Sequence, residues 1–448
     1  MLEKRDVSSL LTTRSRKGNG NDCVADDTPL RSEAEAILHF NEKVTAPNTK
    51  RYGGIHPIEA LKHHQSSLAG LVRRAVQYLP PAVAAAPNED TGRKDTGLAA
   101  MSNDRTIEID GKLRRMPDFV SVTRGPGMRS NLLCGLDTAK GMSVAWQVPV
   151  LGVHHMQAHA LTPRLVNALD STSAARRPEF PWLTLLISGG HSMILHSQGL
   201  TDHKIMATTV DVAIGDALDK CGRFLLPEQI KQAMPDTSYA RYLSEYAFSD
   251  QNSFENWPIP RTRGAEIEKP TNKFGWVMQT PLSKSRNLEF SFSSVPTAVG
   301  RIWNERSRTA KVSDEERIVF ARTALGVAFE HLASRVVIAL ENLRDSPDTQ
   351  SVNTLVVSGG VAANSFLRYF LRKVLDARGF ETVELVFPPI WLCTDNAAMI
   401  AWAGMEMWQA GWRSELSIDV VRRWSMDAAH EDGGILGVDG WTNVNAAS

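Results

Sequence analysis

The chain has 448 residues, of which 42% are hydrophobic and 22% charged, with Lys+Arg and Asp+Glu balanced at 50 each. That length exceeds what one hydrophobic core usually serves, so two lobes are expected. The neutral balance excludes a global basic field, so a nucleic-acid partner would have to be met by a local patch, and no apolar run reads as long enough to cross a bilayer. Cys23, Cys134, Cys221 and Cys393 are far apart and show neither metal spacing nor a disulfide framework, which points to a reducing compartment.

Residues 1–30 are polar and irregular, with Lys4, Arg5, Arg14, Arg16 and Lys17 among serines and threonines. They read as a disordered tail or a transit-type targeting segment. A strand is expected at Ala36–Phe40, then a turn through Arg51–Pro57 and a helix from about Ile58 to Leu79. His56, His63 and His64 read as solvent or helix-surface residues. Residues 80–116 read as a long surface loop or insertion. Order returns with a strand at Phe119–Val122, the turn Gly125-Pro126-Gly127, a helix through Leu132, Leu136 and Ala139, and a strand at Val148–Val153.

That strand feeds His154-His155-Met156-Gln157-Ala158-His159, where His155 and His159 stand four residues apart on one helical face. Two neutral imidazoles one turn apart can share a divalent metal and leave positions open for a substrate, although an isolated pair of this kind is more often structural. A zinc protease would carry its general-base glutamate directly after the first histidine. Met156 occupies that position, so hydrolysis by this route is disfavoured.

Leu183–Ile187 reads as a buried strand ending in Ser188-Gly189-Gly190-His191, with a returning arm at Met193–Leu195. Thr354–Val357 ends likewise in Ser358-Gly359-Gly360, followed by Asn364. Glycines at strand ends let backbone approach a phosphate or sugar, and the repetition points to a nucleotide between them. Between the two lie Asp211, Asp216 and Asp219, of which the last two form a helical i, i+3 pair suited either to ribose hydroxyls or to an exposed face with Lys220. Residues 227–286 read as loops with short elements, and Ser313-Asp314-Glu315-Glu316 as a capping box opening a helix. A strand at Val383–Phe387 precedes Cys393-Thr394-Asp395-Asn396 and a helix from Ala397 to Trp408. Asp395 reads as a helix N-cap or as the carboxylate completing the histidine pair.

Together, Gly125-Pro126-Gly127, His155-Met156-Gln157-Ala158-His159, Ser188-Gly189-Gly190-His191, Asp219-Lys220, Ser358-Gly359-Gly360 with Asn364, and Cys393-Thr394-Asp395-Asn396-Ala397 resemble the tRNA threonylcarbamoyladenosine transferase family, formerly called the glycoprotease family. Tyr52-Gly53-Gly54-Ile55-His56-Pro57 and Arg423-Trp424-Ser425 resemble its mitochondrial branch most. The resemblance implies an α/β, two-lobed actin-like, sugar-kinase-like fold with central mixed sheets flanked by helices. It implies a first lobe over 31–165, a second over 180–395, and a C-terminal helix and tail over 396–448 packing back on the first.

It further implies transfer of a threonylcarbamoyl group from threonylcarbamoyl-adenylate to the exocyclic amine of the adenosine beside the anticodon, in tRNAs reading codons that begin with A. One divalent metal, with iron or zinc foremost, would be held by His155, His159 and Asp395. Leu186, Ile187, Ser188, Gly189, Gly190, Asp219 and Asn364 would line the adenylate pocket, with no covalent catalytic residue. The implied partners are tRNA, a second copy of the chain and an upstream synthase supplying the adenylate, with no membrane, in the mitochondrial matrix or else the cytoplasm. Three features depart from the family pattern: no Glu-Thr-Ser-Cys-Asp-Asp strand opens the chain, no glycine lies between Gly222 and Gly264, and Ser294-Val295-Pro296-Thr297 stands where Gly-Leu-Lys-Thr is usual. The loss of the opening strand leaves a second expectation, a catalytically impaired relative that binds tRNA or a partner.

Overall fold

A computed structural model describes residues 5–15, 34–45, 56–82, 105–170, 178–249, 252–309, 311–346 and 352–446. The chain opens with β1 (Arg5–Ser15) and β2 (Ala34–Thr45), which pair antiparallel, followed by α1 (Pro57–Val76). The segment expected to be an irregular tail thus contains a strand. Its Ser/Thr-rich sequence hid it, because β-branched and hydroxyl residues tolerate pleated backbone without marking a hydrophobic face. The β1–β2 pair forms its own two-stranded sheet. His64, expected on the surface of α1, is instead buried.

The expected loop at 80–116 is in part a hairpin of β3 (Thr106–Ile109) and β4 (Lys112–Arg115); residues 83–104 lie outside the described residues. Asp110 and Gly111 turn it with φ of 49° and 73°, the positive-φ pair that a two-residue hairpin demands. β5 (Val120–Gly125), α2 (Arg129–Trp146), β6 (Val150–His154) and α3 (His155–Leu169) follow. Next come the antiparallel β7 (Trp182–Ile187), β8 (Ser192–Ser197) and β9 (His203–Thr209), then α4 (Ile214–Leu225).

The polar stretch beyond contains the short helices α5 (Glu228–Ala233), α6 (Tyr239–Ala247), α7 (Asn252–Glu255) and α8 (Arg263–Ile267). β10 (Glu289–Phe290), α9 (Ser294–Thr309) and α10 (Asp314–Arg344) come next. Ser313 caps α10 by accepting from the Glu316 amide at 3.1 Å, as its sequence predicts. Contrary to the hydropathy reading, α10 is long and apolar enough to cross a membrane, yet it lies inside the protein, where Phe320, Phe329 and Val336 anchor the largest core. A helix apolar all round is buried by protein as readily as by lipid.

The remaining elements are β11 (Thr354–Ser358), α11 (Ser365–Ala377), β12 (Glu384–Val386), α12 (Ile390–Cys393), α13 (Ala397–Gln409), β13 (Trp412–Ser414) and β14 (Trp441–Asn443). Two larger sheets result, ordered β14-β13-β6-β5 and β10-β9-β8-β7-β11-β12. In the first, β5 and β6 run parallel and β13 returns antiparallel to β6; in the second, β11 runs parallel to both β7 and β12. The fold is therefore mixed α/β with sheets flanked by helices. α3 touches both sheets and packs on α13, which explains why every residue from His155 to Pro163 is buried. The second core, built from Leu151, Val153, Ala158, Leu161, Trp182 and Trp402, fills this junction.

Candidate metal centre

β6 is buried along its whole length and delivers the chain to α3 at His154, which caps the helix it precedes. Its Nδ1 accepts from the Met156 and Gln157 amides at 3.1 and 3.4 Å, so the ring hydrogen resides on Nε2, which donates to the Trp424 carbonyl at 3.1 Å. Complete burial pushes the His154 imidazole down to about 3. Nothing in the sequence distinguished this structural histidine from its neighbours. Gln157 is equally committed, donating to the Leu200 carbonyl at 2.9 Å.

One residue further on, His155 and His159 present their Nε2 atoms 3.2 Å apart, with rings stacked at 5.1 Å between centroids. Asp395 Oδ1 lies 3.2 Å from the first and 3.1 Å from the second. These edges approach the roughly 3.3 Å separation of neighbouring ligands around a tetrahedral ion with bonds of about 2.0–2.1 Å. The electrostatics agree. Burial holds His159 below its usual value despite its bond to Asp395, while the interactions with His155 and His159 outweigh burial and hold Asp395 well below the ordinary carboxylate range. Two imidazole nitrogens and one carboxylate oxygen thus converge, a donor set that could hold a divalent ion.

The reading of Asp395 as the N-cap of α13 is corrected, because Asn396 takes that role, accepting from the Met399 amide at 2.9 Å. Asn396 Nδ2 also donates to the Leu392 and Thr394 carbonyls, so a single amide both starts the helix and shapes the loop that aims Asp395 at the histidines. Lys43 on β2 bonds Thr394 Oγ1 at 3.0 Å and the Asp395 carbonyl at 2.9 Å, a brace from a distant strand with no local sequence signal.

The two glycine turns lie beside this centre. A Cβ on Gly359, whose φ is 99°, would come within 2.3 Å of the Ile187 carbonyl oxygen, and one on Gly215 within 2.8 Å of that of Ser188. These glycines therefore let the ends of β7 and β11 and the start of α4 meet backbone to backbone. Gly189 and Gly190 are exposed, and nothing crowds a Cβ at Gly189, so this turn offers open backbone to a ligand. Ser188 Oγ accepts from the Gly190 and His191 amides and shapes the turn. A Cβ on Gly360 would meet the Thr394 methyl at 4.0 Å, which places the second turn beside the Asp395 loop.

The other expected pocket residues are placed differently. The Leu186 and Ile187 side chains are buried, leaving only their backbone for a ligand. Asp219 Oδ1 accepts from the Ala240 amide at 2.7 Å, while Asn364 caps α11 and donates to Ser244 Oγ at 2.9 Å, so both steady α6. Asp211 is held low, burial being outweighed by bonds from Ser293, Ser291 and Phe292, and it braces the Ser291–Ser293 segment that leads into α9. His191, noted in the sequence only as part of a motif, is brought close enough to feel His155, His159 and Asp395; burial foremost lowers it to about 4.

A two-histidine, one-carboxylate cluster that could hold a metal ion, set between mixed sheets with open glycine turns beside it, defines a class of α/β proteins with a candidate metal centre. The sequence profile of the tRNA N6-adenosine threonylcarbamoyltransferase family matches residues 111–402. The mitochondrial tRNA N6-adenosine threonylcarbamoyltransferase of Schizosaccharomyces pombe is 33% identical over 411 residues, covering 90% of this chain and 82% of that protein. The Chelativorans enzyme of the same name is 31% identical over 88% of this chain and 89% of its own length, and that of Brucella anthropi 31% identical over 84% of each. The chain belongs to this family and is a transferase.

Proposed function

We propose that the chain forms threonylcarbamoyladenosine in tRNA, moving a threonylcarbamoyl group from its adenylate to the exocyclic amine of the adenosine beside the anticodon, in tRNAs reading codons that begin with A. The observation that carries this reading is the meeting of His155, His159 and Asp395 within 3.2 Å across more than 230 residues of chain, in a member of this family. These three residues would hold one divalent ion, iron or zinc, which when bound polarises the carbonyl of the transferred group.

The chain's own residues supply the rest. Backbone at Leu186–Gly190 receives the adenylate, the exposed Gly189–Gly190 turn lets its phosphate approach with no side chain in the way, and Asp219 and Asn364 hold α6 against this region. Amine nitrogen attacks the carbamoyl carbon, the bond to the adenylate phosphate breaks, and AMP leaves as the anion while the amine proton passes to solvent or phosphate. No covalent enzyme intermediate is required.

The two larger sheets support an actin-like arrangement with lobes at 31–165 and 180–395 and a C-terminal portion at 396–448 returning to the first, where β13 pairs with β6. The reading extends to a homodimer, a synthase delivering the adenylate and, from the S. pombe relative, the mitochondrial matrix. A single-turnover assay with threonylcarbamoyl-adenylate and unmodified tRNA tests it. Product from the metal-loaded chain and none from His159→Ala is expected; equal product from both would refute the metal role. One observation favours a second reading, an impaired tRNA-binding relative: β1 and β2 stand apart from the four-stranded sheet. tRNA binding without any product would establish it.

A further inference from the structure

Beyond His191 the surface opens into a cleft of about 410 Å³ lined by Pro126, Gly127, Met128, His191, Arg422, Arg423 and Trp424. The strap that carries the arginines is clamped on both sides. Arg124 Nε donates to the Asp419 carbonyl, the Val421 amide to the Arg124 carbonyl and the Gly127 amide to the Arg422 carbonyl, at 2.9, 2.9 and 3.3 Å. Gly125 is required here, since a Cβ would lie 2.0 Å from the Val421 oxygen. At its far end the Trp424 carbonyl receives His154, the residue that caps the metal helix, and the Trp424 indole donates to the Gly434 carbonyl.

Arg422 and Arg423 are nevertheless exposed, and neither guanidinium has a hydrogen-bond or ion-pair partner among the described residues. Asp419, on the same strap, is already engaged by Arg129 at 2.8 Å. Two uncompensated guanidiniums on a rigid strap, beside a histidine that faces the metal centre, form a built anion receptor.

We infer that Arg422 and Arg423 bind backbone phosphates of the tRNA anticodon loop and so seat the target adenosine over the metal centre. This rests on the transferase reading above. The cleft is open rather than enclosed, as a continuing polynucleotide requires, and backbone contacts position a nucleic acid without reading its sequence. The phosphate of the adenylate shares this chemistry, so the test separates the two sources.

Binding of an unmodified tRNA transcript, with adenosine beside the anticodon, is measured from about 50 to 200 mM salt for the wild-type chain and for R422A/R423A, alongside calorimetric titration with AMP. Loss of two phosphate contacts should lower the slope of log K against log salt by about 1.4, with AMP affinity unchanged. R422K/R423K should keep the slope. An unaltered slope in the alanine variant, with wild type still binding and modifying tRNA, overturns this inference alone. Weakened AMP binding with an unaltered slope also overturns it and gives the arginines to the adenylate. Failure of the wild type to bind tRNA at all overturns both this inference and the transferase reading.

Discussion

Asn396 supports the candidate metal site without belonging to the cluster of His155, His159 and Asp395. Its Oδ1 caps α13, and its two Nδ2 bonds, at 3.3 and 2.8 Å, fold the Leu392–Thr394 turn. Asn396→Ala removes a cap worth about 1 kcal/mol and two buried bonds worth about 1 kcal/mol each, about 3 kcal/mol in all. Asn396→Ser keeps a capping oxygen but neither donor, so it should lose about 2 kcal/mol. Urea unfolding of the metal-free protein measures both without the stabilisation that a bound ion would add. Because the two donors also aim Asp395, both variants should bind zinc roughly 10–100-fold more weakly by calorimetry, the usual consequence of losing the groups that orient a ligand. A serine variant that binds zinc like wild type would refute the idea that Asn396 positions Asp395.

Two further outcomes follow from the geometry. His154, His203 and His331 are buried and lowered to about 3, 4 and 3, chiefly by desolvation. Because these values lie below the usual 6.5, the unfolded chain takes up protons first as pH falls. Stability should be fully present above pH 6.5 and decline toward pH 4 by up to about 1.4 kcal/mol per pH unit for each histidine; a flat melting temperature between pH 7 and 4.5 would contradict this. Gly359→Ala should destabilise the protein by more than about 2 kcal/mol, since it combines a left-handed backbone with a carbonyl in the way, whereas Gly189→Ala should leave stability within roughly 0.5 kcal/mol and weaken AMP binding. Melts and AMP titrations of the pair check this, and a tolerated Gly359→Ala would show that the close approach of β11 to β7 is not fixed.

The histidine pair was legible because its spacing survives any rotation of the helix: residues four apart share a face wherever that helix packs. Asp395 was ambiguous for a physical reason. It adjoins Asn396, both side chains can cap, and only the fold shows which oxygen turns inward. The Ser-Gly-Gly turns were visible as strand ends, but the sequence could not separate Gly359, needed for backbone contact, from Gly189, which leaves open space. The β3–β4 hairpin carried its Asp-Gly signal in plain view and was obscured by the charged residues around it. Lys43 reaches Thr394 across 351 residues, and no local pattern marks such a partner.

The separation of the three candidate ligands along the chain also sets an order of assembly. During synthesis β6 and α3 can form as a local unit presenting His155 and His159, but Asp395 emerges some 236 residues later, after α10 and the six-stranded sheet are available to fold. β13, which pairs with β6 beside the histidine helix, comes later still. A nascent chain would therefore offer an ion only two imidazoles and would hold it loosely. Secure capture of the ion would accompany closure of the α3–α13 junction, making metal retention a readout of completed folding.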